Sequence, residues 1–152
     1  MKIIDLKFVP AYVEKLAKWQ HNEWSAISTK TFDERVAELT NHLKDEFIPS
    51  TFVIKDNEAL GSAAIVAHDM LTKPELSPWL ASVVIAPNNK GAGIGSKIVS
   101  YVMEQAKNAG IKTLYLYTPN RESFYQRLGW QTITKEKYRQ TDVTIMSIDL
   151  TS

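Results

Sequence analysis

The sequence predicts a mixed α/β domain in which a mainly antiparallel sheet contains one parallel pair of strands and is flanked by helices. Three observations point there. Residues 81–85 (Ala-Ser-Val-Val-Ile) form an apolar run that leads into Lys90-Gly91-Ala92-Gly93-Ile94-Gly95-Ser96. A segment with Ile94, Ile98, Val102 and Ala106 at helical spacing follows and stops at Gly110. Lys112 to Thr118 then reads as an apolar strand, and a strand–helix–strand crossover of this length makes its two strands parallel.

The remaining elements follow in order. Ile3 to Phe8 reads as a short strand, and Tyr12 to Trp24 as a helix with Val13, Leu16 and Ala17 on one face. Thr31-Phe32-Asp33-Glu34 is a capping box, in which the Thr31 hydroxyl bonds the Glu34 N–H and the Glu34 carboxylate reaches back. Phe32, Val36, Leu39 and Leu43 recur at helical spacing until Pro49 ends that helix, which is expected to cover the core. Thr51 to Lys55 and Leu60 to His68 form a hairpin about Asp56-Asn57-Glu58-Ala59. Trp79 to Ile85 is the next strand. After the crossover, Thr118-Pro119 starts a short helix carrying Phe124, Tyr125 and Leu128, which Gly129 closes. Trp130 to Tyr138 and Val143 to Asp149 make a final hairpin.

Composition narrows the function classes. A chain of 152 residues, 44% hydrophobic and 23% charged, fits one domain over 1–152 without low-complexity tract or repeat. Its amino terminus lacks the apolar run of a signal peptide and nothing reads as a membrane span, so the expected address is cytoplasmic. With no Cys, disulfides, thiolate metal sites and an acyl-cysteine intermediate are excluded, and no metal is expected. Residues 1–89 carry nine Lys/Arg against twelve Asp/Glu, net −3, and residues 90–152 nine against five, net +4. The glycine loop therefore lies in a basic half that favours a phosphate-bearing ligand, and the acidic half favours an amine. No basic cluster marks a nucleic-acid partner. The oligomeric state stays open, a homodimer included.

Three alternate glycines ahead of a helix make an anion cradle, since unpaired N–H groups and the positive end of the helix dipole face the same guest. The spacing satisfies neither G-x-G-x-x-G nor G-x-x-x-x-G-K-[ST], which weakens both nucleotide readings. The stretch Val84-Ile85-Ala86-Pro87-Asn88-Asn89-Lys90-Gly91-Ala92-Gly93-Ile94-Gly95 instead resembles the signature of the GNAT family of N-acetyltransferases, a strand ending in Pro followed by [RQ]-x-x-G-x-[GA] and a helix. Lys90 stands where the family has Arg or Gln, keeping the charge without the planar fork. A second block, Phe124-Tyr125-Gln126-Arg127-Leu128-Gly129-Trp130, is similar to the family's F-Y-x-x-x-G-[FW]. The two cover roughly residues 80 to 138, and a weaker similarity to small-molecule members of the family extends over the remainder.

The resemblance implies acetyl-coenzyme A as co-substrate, two parallel strands that splay apart, and pantetheine lying in the gap. It assigns the cofactor contacts to Val83, Val84, Ile85, Lys90, Gly91, Ala92, Gly93, Ile94, Gly95 and Ser96. Asn120, five residues before Tyr125, takes the contact that the family gives to an Asn seven before, where this chain has Thr118. An N–H of the first strand would polarise the thioester carbonyl. Tyr125 would protonate the departing thiolate.

The amine poses the harder problem. With a pKa near 10.4 it is neutral only about 0.04% of the time at pH 7, equivalent to roughly 4.6 kcal/mol, so a base or water chain must take its proton. His21, Glu23, His68, Asp69 and Glu75 are candidates, and Asp69 leads because it sits where a strand meets an irregular segment. Glu23, Trp24, His68 and Trp79 are expected to line the acceptor site, with Trp19 as a further aromatic. The reading is an acetyltransferase acting on a small cationic amine by direct attack in a ternary complex. Its rivals are a non-catalytic acyl-coenzyme A sensor or interaction module, and acetylation of a protein amino group.

Overall fold

The computed structural model describes residues 1–151. Its strands are β1 (Lys2–Asp5), β2 (Ser50–Lys55), β3 (Ala59–Val66), β4 (Trp79–Ile85), β5 (Thr113–Thr118), β6 (Gln131–Tyr138) and β7 (Thr141–Asp149). Its α-helices are α1 (Val13–Trp24), α2 (Phe32–Asn41), α3 (Ile94–Asn108) and α4 (Glu122–Arg127). All seven strands join one sheet in the order β1-β2-β3-β4-β5-β7-β6. Only β4 and β5 run parallel, as the α3 crossover requires. The mixed, mainly antiparallel sheet is thus the architecture expected.

Alternation along the strands divides the interior between the two faces of the sheet. Leu114 and Leu116 of β5 join Ile54, Ile65, Ile98 and Val102 in the core beneath α3. On the opposite face, Val53 of β2 packs with Leu16, Ala17 and Leu39 of α1 and α2. Further along that face, Trp79, Tyr138, Val143 and Ile145 gather around Met70, with Tyr115 and Tyr117 packed against them. Each fully buried aliphatic side chain of this kind contributes about 1.5–3 kcal/mol.

Several boundaries differ from the sequence reading. β1 ends at Asp5 rather than Phe8, because the Asp5 carboxylate accepts from Lys7 N–H at 2.9 Å and turns the chain into a 3₁₀ segment, Leu6–Phe8. The capping box is present: Thr31 Oγ1 accepts from Glu34 N at 3.1 Å, and Glu34 Oε1 from Thr31 N at 2.8 Å. However, α2 ends at Asn41, and Phe32 is not a core residue; it is 37% exposed and meets His21 edge-on. β3 covers Ala59–Val66, so His68 and Asp69 lie in the loop beyond it. α4 starts at Glu122 rather than at Thr118-Pro119, because Thr118 closes β5 and its hydroxyl accepts from Arg121 N–H at 3.1 Å.

Candidate functional site

The site begins with an irregularity in β4. In the β3–β4 ladder Ser62 faces Val84 and Ala64 faces Ala81, so Ser82 and Val83 together oppose Ala63. Ser82 adopts φ 54°, a left-handed conformation that a side-chain-bearing residue rarely takes. The bulge re-aims the second half of β4. Its parallel pairing with β5 is limited to Trp79↔Tyr115, extended by Tyr115 N–H donating to Pro78 O at 3.1 Å. Beyond that point the strands part, and the wedge between them opens toward the amino end of α3. Val83, Val84 and Ile85 lie on the β4 wall of that wedge.

At the mouth, Gly91 and Gly93 hold φ values of 85° and 77°. A Cβ on either would meet nothing within 4 Å, so their requirement is conformational rather than steric. Gly95 differs: it lies in the first turn of α3, and a Cβ there would come within 3.4 Å of the Phe124 ring. At that distance the contact is ordinary, so neither backbone conformation nor space demands glycine at this position. The first intrahelical bond of the turn runs from Lys97 N to Gly93 O at 3.3 Å, and no side chain caps the helix. The N–H groups of Ile94, Gly95 and Ser96 therefore remain available to an anion. Ala92 N–H is engaged by Asn89 O at 3.4 Å, and the Ser96 hydroxyl by Gly93 O at 3.2 Å. This arrangement, an uncapped helix terminus at the mouth of a strand wedge, fits an extended phosphate-bearing guest.

Lys90 of the loop pairs with Glu23 of α1, Nζ to Oε2 at 3.0 Å. The two residues expected on opposite sides of the reaction thus meet across the mouth and tie α1 to the glycine loop. Asn120 is exposed at the end of β5, while Thr118 is buried and committed to the following turn.

Tyr125 on α4 is 7% exposed, with Phe124 and Trp130 edge-on at 4.9 and 6.1 Å. It shares the core of Ile94 and Ile98, which sets it beside the first turns of α3. Burial pushes its phenol up to about 12, opposed by the nearby Arg121 cation, so the hydroxyl stays protonated at working pH. It can donate and does not act as a base.

On the far side of the wedge, the loop after β3 turns Asp69 inward, while His68 is exposed. Leu71 N–H donates to the Tyr138 hydroxyl at 3.3 Å, anchoring that loop to β6. Burial pushes the Asp69 carboxyl from 3.8 to about 7; Lys30 and Arg139 pull it down and Glu38 pushes it up. Tyr117 is raised as well, by burial and then by the Asp69 charge. Asp69, Tyr117 and Tyr138 therefore form one electrostatic group beside the wedge's apex. Sequence reasoning missed the two tyrosines and Arg139, although alternation along Leu114-Tyr115-Leu116-Tyr117 already put both β5 tyrosines on one face.

One expected acceptor residue stands elsewhere. Trp79 is fully buried, its indole N–H donating to Leu76 O at 2.7 Å and its ring packed on Tyr115 and Tyr117. It plugs the apex of the wedge rather than lining a cleft, because the aromatic side chains of β5 close over it. Trp24 is half-buried at the end of α1, near the Lys90–Glu23 bridge in sequence.

A family model described as the acetyltransferase (GNAT) domain matches residues 49–132. The chain belongs to the GNAT acetyltransferase family. Within it, N-alpha-acetyltransferase 30 of Schizosaccharomyces pombe is 31% identical over 84 residues, covering 53% of this chain and 56% of that protein. An N-acetyltransferase ycf52-like protein of Prochlorococcus marinus is 41% identical over 49 residues, 32% of this chain and 27% of that protein. The chain therefore spans well under two thirds of the curated relatives it matches. In fold, this GNAT chain superimposes on an aminoglycoside 6'-N-acetyltransferase complexed with coenzyme A, with TM-score 0.79 and 15% identity, covering 100% of this chain and 98% of that one. The GNAT match includes β2 through α4, hence the bulge, the glycine loop and Tyr125. No helix among the described residues is long and apolar enough to cross a membrane.

Proposed function

We propose that this protein moves an acetyl group from acetyl-coenzyme A to the amine of a small cationic molecule, by direct attack in a ternary complex. The observation that carries the reading is the wedge opened by the Ser82 bulge, with the uncapped α3 terminus at its mouth. Acetyl-coenzyme A supplies an acetyl group already activated as a thioester. The N–H groups of Ile94, Gly95 and Ser96 hold its pyrophosphate, and Gly91 and Gly93 give the loop the backbone shape that brings them there. Backbone groups of Val83 to Ile85, freed from β5, pair with the pantetheine arm and polarise the acetyl carbonyl.

Tyr125 donates a hydrogen bond to the departing sulfur. A phenol near 12 faces a thiol whose ordinary pKa is about 8.5, so complete proton transfer is uphill and the contribution is stabilisation rather than full protonation. Asp69, half ionised near neutrality, draws in the ammonium and takes a proton from it. His68, Glu23 and Trp24 border the approach. The name of the aminoglycoside-acetylating neighbour supports a small cationic acceptor.

The Schizosaccharomyces pombe relative's name supports a second reading, acetylation of a protein amino terminus. One experiment separates these and tests the whole proposal. Purified protein is supplied with acetyl-coenzyme A and a panel of aminosugars, polyamines and amino-terminal peptides, and free thiol release is followed. Release stimulated by aminosugars or polyamines supports the proposal, and stimulation by peptides alone supports the second reading. Tight coenzyme A binding with no stimulated release would overturn both in favour of a sensor.

A further inference from the structure

Arg35 lies on the inner face of α2, followed by Leu39 one turn on and His42 just past the helix end. All three are buried, Arg35 to 4% exposure. Leu39 packs with α1. His42 Nδ1 sits 2.8 Å from Thr51 Oγ1 of β2. Arg35 has no such answer: its Nε and Nη2 are buried without a hydrogen-bond partner. Those two nitrogens form one edge of the guanidinium, the edge that takes both oxygens of a carboxylate in parallel bonds.

The neighbouring carboxylates are committed elsewhere. Glu34 Oε1 accepts from Thr31 N at 2.8 Å, and Glu38 Oε2 from Lys30 Nζ at 2.6 Å. Burial lowers the Arg35 pKa, yet a guanidinium stays charged at any working pH. The charges of both carboxylates act on Arg35, but neither bonds its Nε–Nη2 edge; a buried guanidinium edge without an acceptor is costly to keep, and an oxyanion bound there removes that cost.

Position says where the anion would sit. α2 packs on α1, and Leu39, one turn on from Arg35, shares a core with Val53 of β2. Val53 is the ladder partner of Ser62 of β3, which is in register with Val84 just past the bulge. The Ser62 hydroxyl is also buried and unpartnered, as is Nδ1 of His21 on α1. Orphaned polar groups are thus carried by α1, by α2 and by the strand beside the bulge, and the Glu38 charge of α2 acts on Asp69, the proposed acceptor base.

We infer that Arg35 is a specificity residue that binds a carboxylate of the acceptor, with the Ser62 hydroxyl as a second donor, so that the acceptor carries an amine at one end and a carboxylate at the other. This rests on the acetyltransferase reading above and changes its substrate class in one respect: the cationic ammonium is joined to a carboxylate on the same molecule.

The test compares glycine, 4-aminobutyrate, 6-aminohexanoate and lysine with the carboxamide of each. Acetyl-coenzyme A turnover should favour at least one acid over its amide by tenfold or more in kcat/KM. Arg35→Met, which fills the volume without charge, should collapse that ratio to within twofold, and Arg35→Lys, which keeps the charge but not the fork, should leave an intermediate ratio. Circular dichroism checks folding, and if Arg35→Met does not fold, the Lys variant carries the comparison. An acid-to-amide ratio near one at every length in the wild type, or a preference that survives both substitutions, overturns the inference. Should no amine be turned over, the acetyltransferase reading fails by itself. Calorimetric titration of the same acids and amides then decides Arg35: acid-selective heat lost in the variant upholds it, and its absence in the wild type ends it.

Discussion

Asp69→Asn exchanges a carboxyl for an amide of the same shape and separates what the charge does for activity from what it costs the fold. Burial raises the folded-state pKa from 3.8 to about 7. An acid shifted upward favours its neutral form in the folded protein, so the stability it lends is complete below pH 3.8 and is lost progressively as pH rises to about 7. At about 1.4 kcal/mol per unit the loss has an upper limit of about 4 kcal/mol, reduced by solvent that reaches this half-buried loop. An asparagine is neutral throughout. The variant should match the wild type in denaturant melts at pH 4 and exceed it by about 1–3 kcal/mol at pH 8, roughly 2–12 °C in Tm for a chain of this size. Activity should move the other way. Acceptor kcat/KM should fall by about 10² at pH 8, within the range for a proton-transferring group, with affinity for coenzyme A retained. The wild-type profile should carry a limb with its midpoint near 7 that the variant lacks. Equal stability differences at the two pH values, together with an unchanged pH profile, would show that Asp69 is neither strained nor catalytic.

Gly93→Ala places a Cβ on a residue at φ 77°, so it should cost about 1–2 kcal/mol in chemical denaturation even though the space is open, and weaken coenzyme A binding in calorimetry. Tyr125→Phe should leave that affinity unchanged while single-turnover rates fall by about 10–100-fold, with the alkaline side of the pH profile unaltered below about 10 because the phenol is not titrating there. Thr31→Ala removes the hydroxyl arm of the capping box, leaving the backbone N–H that Glu34 accepts from, and should lower stability by about 1 kcal/mol in a denaturant melt. Glu23→Gln releases Lys90 from an exposed pair, so stability should change by less than about 1 kcal/mol, and the KM for acetyl-coenzyme A is the better readout of loop position.

Features governed by neighbours in the chain were the ones legible beforehand. The Thr31–Glu34 box, the glycine loop and the parallel strands joined by α3 each follow from a rule spanning a few residues or one crossover length. Phe32 shows the limit, since it keeps the helical spacing of Val36 and Leu39 but sits at the first turn, where α1 offers it only the edge of His21. Trp79 was assigned to the acceptor because tryptophan suits a cleft wall. Its burial depends on Tyr115, Tyr117 and Tyr138, which arrive from distant strands. The Ser82 bulge carries no glycine to announce it, and Arg35 reads in sequence as part of a solvated helix surface.

Because β4 and β5 share a single rung, the ladder divides into two panels, β1 to β4 and β5 to β7, that meet at Trp79 and Tyr115. A guest with amides along its length would act as the missing rungs of that ladder. Loading the wedge would then be an act of folding as well as of recognition, and amide protons far from any contact, in β6 and β7 as much as in β4, should become slower to exchange when the wedge is filled.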